Sequence, residues 1–231
     1  MSDLHKTALI DQLLQVPLNR RDIRWQIEFS THLPAASFQC GNPQIITGPD
    51  GFPYFQLLLP LPGVSFESFS ILKMMDDFLL SEGLGVVLNA DKSQPDWVLS
   101  YGDIVNLKLK GSLLSPEKHP FATQNKMGTE TLGKGSTIVA GKLAADLYPS
   151  TVSGPLRKML QHNGVRDPKV ALMVLHPEKQ SGFELAFNIT PQNFSSEEHY
   201  LSVFQAIGWF LPKHYAYLGT SEAGATGFVR L

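Results

Sequence analysis

The chain has 231 residues, 43% hydrophobic and 17% charged, with a net charge of −2 and one cysteine, Cys40. That balance belongs to a globular protein rather than a disordered one. With no basic stripe it argues against nucleic acid as a partner, because phosphate neutralisation needs clustered Lys and Arg. A lone cysteine leaves no intramolecular disulfide and no cysteine-rich zinc site, and it fits a reducing compartment.

The length suits two domains of roughly 100 residues, each able to bury a core unaided. Residues 1–16 carry no basic run ahead of an unbroken apolar core, so they do not read as a signal peptide. The longest apolar pieces, such as residues 55–61, fall far short of a membrane span. The expectation is a soluble, cytoplasmic protein with no membrane partner.

Leu4, Ala8, Leu9, Leu13 and Leu14 recur at three and four, which predicts a helix that stops before Pro17. A second helix over residues 20–32 places Ile23, Ile27, Trp25 and Phe29 inward, an aromatic spacing that reads as core packing. Short β segments over 36–39 and 44–47 flank a turn at Gly41-Asn42-Pro43. Gly48-Pro49-Asp50-Gly51 is a second turn, ahead of a strand over 52–59. Phe66, Phe69, Ile71, Leu72, Met75, Phe78 and Leu79 then give a helix that closes at Gly83 in the left-handed conformation.

Residues 83–109 carry the densest fold information. Val86-Val87-Leu88 is a buried strand ended by Asn89. A turn over 90–95 follows, then a short apolar step, Trp97-Val98-Leu99. Ser100 and Asp103 stand three apart, as a capping box requires, with Ile104 and Leu107 continuing at helical spacing. Residues 112–134 mix Gly, Ser, Thr, Lys and Pro without a period and read as a linker, separating domains 1–111 and 135–231.

The second half predicts a strand over 137–143, a helix over 149–161 with Val152, Leu156, Met159 and Leu160 on one side, and an apolar strand over 169–175. A turn at 176–182 leads to an alternating strand over 183–189. Ser195 with Glu198 reads as a capping box for a helix through Leu201, Phe204, Ile207 and Phe210, and residues 214–218 are the last strand before a Gly- and Ala-rich tail. The order β-α-β-β-α-β predicts an α+β fold, a split βαβ sheet with both helices on one face.

These features carry a resemblance. The entering strand with Gly141, the pair Tyr148-Pro149 leading a helix, the run Val170-Ala171-Leu172-Met173 and the late Leu211-Pro212 are similar to the C-terminal domain of the enhanced-serine-sensitivity (SseB-type) family of bacterial proteins. The first half resembles that family's N-terminal domain in the run Gly85-Val86-Val87-Leu88-Asn89 between two helices. Ala90 stands where the family has proline, and residues 91–96 lengthen the loop. The resemblance implies a two-domain fold and brings no catalytic motif with it.

Candidate chemistry is sparse. The histidines, His5, His32, His119, His162, His176, His199 and His214, are scattered without HxH or HxxxH spacing, so no metal site and no cofactor are expected. There is no Gly-x-Ser-x-Gly elbow, and Gly133-Lys134-Gly135-Ser136 lacks the P-loop spacing. Asp96, Trp97, Tyr101 and Asp103 form the one dense polar-aromatic group beside a strand end. They are the candidate ligand-binding residues, weighed against a plain structural role in core, turn and cap. The reading reached is a non-catalytic binding or regulatory protein with a protein partner and a possible homo-oligomer through a sheet edge. The alternative is a hydrolase with a site assembled from scattered His and carboxylate residues.

Overall fold

A computed structural model describes residues 3–122, 139–141, 143–145, 147–175, 177, 182–224 and 226–231. They form an α+β protein of two compact units, Met1–Leu114 and Ser115–Leu231, each with its own sheet. Residues 123–134 of the expected linker and most of the expected turn at 176–182 lie outside the described residues. Among those described, no helix is long and apolar enough to cross a membrane.

In the first unit, α1 (Leu4–Leu14) is capped by Asp3, which accepts from the Lys6 amide at 3.1 Å. Its buried face is Thr7, Ile10, Leu13 and Leu14, and Leu4 is exposed, contrary to the expected stripe. The cause is Thr7: its hydroxyl bonds the carbonyl and the amide of Ser37, each at 2.9 Å, which turns a polar residue inward. α2 (Ile23–His32) buries Trp25 and Phe29 and leaves Ile23 65% and Ile27 48% exposed, so the inward assignment of the two isoleucines is corrected. Trp25 stacks on Phe29 at 4.7 Å and its indole N–H donates to the Leu13 carbonyl at 2.8 Å. Positions 23 and 27 lie on the far side of a helix that buries 25 and 29.

β1 (Gln39–Thr47) runs on through Gly41-Asn42-Pro43, where the sequence predicts a turn. Its register slips between Cys40 and Ile45, the Asn42–Pro43 peptide is cis, and the Gln56 amide donates to the Pro43 carbonyl at 2.6 Å. One strand with a bulge therefore replaces two short ones. The expected turn at 48–51 joins it to β2 (Pro53–Leu58), with Asp50 accepting from the Phe52 amide at 3.2 Å and the Tyr54 hydroxyl at 2.6 Å. Phe69 bridges to Phe38 rather than opening the next helix. That helix starts as α3 (Ile71–Met74), passes through a π-helical stretch, Met75–Leu79, and ends as α4 (Leu80–Glu82) with Gly83 left-handed at φ 71°. β3 (Gly85–Leu88) is buried throughout, parallel to β2 and antiparallel to β4 (Trp97–Leu99), and α5 (Tyr101–Lys110) follows. The sheet order is β1-β2-β3-β4.

The second unit has β5 (Val139–Gly141), α6 (Ser150–His162), β6 (Lys169–Val174), β7 (Glu184–Phe187), α7 (Glu197–Phe210) and β8 (Tyr217–Gly219), in the expected β-α-β-β-α-β order. Helices α6 and α7 pack on each other. The strands lie in sequential order, antiparallel from β5 to β7, with β8 parallel to β7. The parallel pair is thus directly adjacent, whereas a split βαβ unit inserts a strand between its parallel pair. The cap of α7 is Ser196, which accepts from the His199 amide at 3.1 Å, in place of the expected Ser195. The tail contributes β9 (Val229–Arg230), antiparallel to the start of β6. Both units therefore share one run, a helix, an antiparallel hairpin, a helical crossover and a parallel third strand.

β3 depends on close approach. A Cβ on Gly85 would stand 2.6 Å from the Leu99 carbonyl oxygen and 2.7 Å from the Tyr54 ring. Gly85→Ala is expected to lower stability by about 1–3 kcal/mol in urea unfolding, the usual range for overpacking. An unchanged midpoint would contradict this packing.

Candidate functional site

The candidate group is built around the end of β3. Asn89 is buried with φ 55°, a left-handed conformation that asparagine tolerates better than most residues. Its amide donates to the Leu57 carbonyl at 2.8 Å, and its side-chain oxygen accepts from the Leu59 amide at 3.0 Å. Its side-chain nitrogen donates to Asp96 Oδ2 at 2.5 Å, and Lys92 Nζ reaches the same oxygen at 2.5 Å. Asp96 is thus engaged from two sides with its side chain 17% exposed. Its amide also donates to the Leu88 carbonyl at 2.9 Å, which closes the 90–95 turn.

Trp97 completes an aromatic cluster. Its ring lies 4.8 Å from Phe29 and 5.6 Å from Trp25, and the Arg21 guanidinium sits 4.6 Å above the Trp25 ring. Arg21 also donates to the Val16 and Leu14 carbonyls at 2.9 and 3.1 Å, so this chain's own arginine occupies the cation position over the rings. Trp97 further lines an apolar cavity with Leu33, Leu57, Ile71, Val86, Leu88 and Leu99, of about 10 Å³. That is room for roughly one water and far below a small-molecule site.

Tyr101 is fully buried and its hydroxyl donates to the Leu80 carbonyl at 2.9 Å. Asp103 is 4% exposed and forms the expected capping box, accepting from the Ser100 amide at 2.9 Å while its own amide donates to Ser100 Oγ at 3.2 Å. The four candidates are therefore close in sequence yet do not converge on a shared open space. Each is spent on a strand end, an aromatic core or a helix cap.

Two constellations in the second unit escaped sequence reading. Ser195 Oγ lies 3.4 Å from His199 Nδ1, and His199 Nε2 lies 3.4 Å from Asn163 Oδ1. The order serine, imidazole, amide is that of a nucleophile, its base and an orienting group. The i, i+4 spacing of Ser195 and His199 signals it locally, but Asn163 comes from the end of α6. Elsewhere the rings of His119 and His214 are 5.0 Å apart beside Phe121, which stacks on Tyr215 at 3.8 Å. His119 Nδ1 is buried without a hydrogen-bond partner. Among the described residues, no three His, Cys, Asp or Glu are placed to hold a metal ion.

Comparison with protein-family models, with curated proteins and with solved structures found no match to this chain.

Burial pushes the Tyr101 hydroxyl well above its ordinary value near 10. The folded state then keeps a proton that the unfolded chain loses, so stability is intact below about pH 10 and falls as pH rises beyond it. Unfolding of the first unit followed from pH 8 to 11 is expected to show that fall. Tyr101→Phe is expected to flatten it, and an equal alkaline slope in the variant would contradict the assignment.

Proposed function

We propose that the chain is a bacterial, cytoplasmic binding or regulatory module without catalytic chemistry, of the kind that the SseB-type resemblance implies, and that its partner is another protein. The observation that carries this reading is the outer face of α2. Ile23 and Ile27 stand one turn apart with 65% and 48% of their surface in water, just after Leu18 at 73%. An apolar pair at i, i+4 on a helix is the geometry by which one helix docks on an apolar groove. The engagement of Asp96 Oδ2 by Asn89 and Lys92, of the Tyr101 hydroxyl by Leu80 and of Asp103 by the Ser100 cap supports the same reading, since it commits these polar groups to the fold. A second copy joined through a sheet edge also belongs to the proposal. The edge strand β4, with Val98 44% exposed, suits it better than β1, whose bulge and Pro43 blunt pairing.

The hydrolase reading is favoured by one observation, the Ser195–His199–Asn163 series. Against it, both contacts are long for a working relay, Ser195 is exposed, and Asn163 also donates to the Met159 carbonyl as the end of α6.

A chain carrying Ile23→Asp and Ile27→Asp is expected to keep its circular dichroism and Tm, because both side chains already contact water. It should lose at least tenfold in affinity for the protein recovered with the wild type. Undiminished binding would remove α2 as the docking face. Ester or peptide turnover that vanishes in Ser195→Ala would replace the binding reading with the hydrolase.

A further inference from the structure

Residues 226–231 lie across the second sheet as a strap, held at separable points. Gly227, with φ 86°, passes close to Ala140 of β5: a Cβ there would come within 3.2 Å of the alanine methyl. Phe228 packs on an apolar floor of Ala171, Met173 and Ala186, beside Leu218. By strand alternation this floor is the sheet face opposite to Val170 and Leu172. Val229 and Arg230 pair with Val170 and Lys169 of β6, on the same edge that β5 occupies further along. Leu231 is buried at 5% exposure, its amide donates to the Pro168 carbonyl at 3.0 Å, and Arg157 of α6 donates to its carbonyl at 2.9 Å.

The strap is a peptide seated on a sheet edge by the rules of strand addition, with two apolar anchors, a two-residue ladder and a cationic clamp on a carbonyl. Its remaining bonds are weak. Arg230 meets Asp167 at 3.2 Å with its side chain 80% exposed, and water screens so exposed an ion pair until it contributes little. Upstream, Glu222 pairs with Lys169 at 2.7 Å and accepts from Asn188 at 2.9 Å, again at the surface. The connection from β8 passes through Ser221, Glu222 and Ala223, all exposed. Removing the strap uncovers the Ala171, Met173 and Ala186 floor and leaves Lys169 and Val170 unpaired on that edge.

We propose that this seat is an exchange site, which takes residues 226–231 of a second copy of the chain in place of its own and so builds a strap-exchanged dimer. The occupant follows from the chemistry of the seat. An aromatic for the floor, two extended residues for the edge and a leucine under the arginine are what the second copy presents by identity, and exchange of an identical element is a low-cost route to a dimer. This interface is separate from the α2 face, so each stands or falls without the other.

The test uses the full chain and a labelled synthetic peptide of residues 226–231. A variant with Phe228→Ser and Leu231→Ser unseats its own strap. It is expected to bind the peptide at least tenfold more tightly than wild type, whose strap competes in cis, and adding Arg157→Ala should weaken that binding at least tenfold. Light scattering of the wild type should show mass rising toward a dimer with concentration, as should Val98→Lys, which closes the β4 edge to pairing, whereas the unseated variant carrying Val98→Lys should stay monomeric. Equal peptide binding by the two chains, no binding by a folded unseated variant, or a wild type that stays monomeric throughout would overturn the proposal. If the unseated variant does not fold, hydrogen exchange of the wild type decides. Amides 229–231 must exchange ahead of β6 and β7, and exchange only together with them would overturn it.

Discussion

The first unit depends on a single asparagine. Asn89 ends β3 in a left-handed conformation and, with its main chain and both ends of its side chain, joins the close of β2, the close of β3 and the approach to β4. Each group it satisfies is a buried or half-buried polar atom, whose cost when left unpaired is about 1–3 kcal/mol. Around that clasp β2 and β3 are held parallel, which a short connection cannot do. The chain spends α3, the π-helical stretch and α4 on the crossover, and Gly83 turns it back into the sheet. Tyr101 then ties α5 to the end of that crossover at Leu80. The polar residues that most resemble a site are the ones that let an apolar strand sit in the middle of the sheet.

The legible parts of the sequence were the local ones. The Ser100–Asp103 box, the left-handed Gly83 and the turn at 48–51 are set by residues three or four apart, and they stand where the pattern puts them. The misread parts depend on distant neighbours. α2 is apolar on more than one side, and its orientation is decided by Trp97 and the Leu13 carbonyl rather than by its own periodicity. Gly41-Asn42-Pro43 has the composition of a turn, yet Gln56 across the ladder bonds the Pro43 carbonyl and the strand continues. Ser195 has Glu198 three residues on and is the better capping box in sequence, yet the backbone at the start of α7 places the cap at Ser196. β9 is two residues long and carries no pattern; it exists because β6 offers a free length of edge. Of the candidate group, spacing along the chain shows that Asp96, Trp97, Tyr101 and Asp103 are close in sequence, but not that each faces a different structural partner.

The two units solve the same packing problem with one topological run and end it differently. The first adds an antiparallel β4 and a capped helix α5 beyond its parallel pair, whereas the second begins with β5 and returns a strap to the edge of β6. The two proposed binding surfaces fall where this plan leaves apolar groups at the surface or under the terminal strand, on the outer face of α2 in one unit and beneath residues 226–231 in the other.

The central claim is that the polar group at residues 89–103 holds the fold together rather than a ligand. Urea unfolding of Asn89→Gly tests it most directly, because glycine keeps the left-handed backbone and removes only the side-chain clasp. The account predicts a loss of about 2–3 kcal/mol, the order of two hydrogen bonds withdrawn from buried or half-buried partners. A loss below about 0.5 kcal/mol, within the range of an ordinary surface substitution, would contradict it and return Asn89 and Asp96 to the status of a binding site.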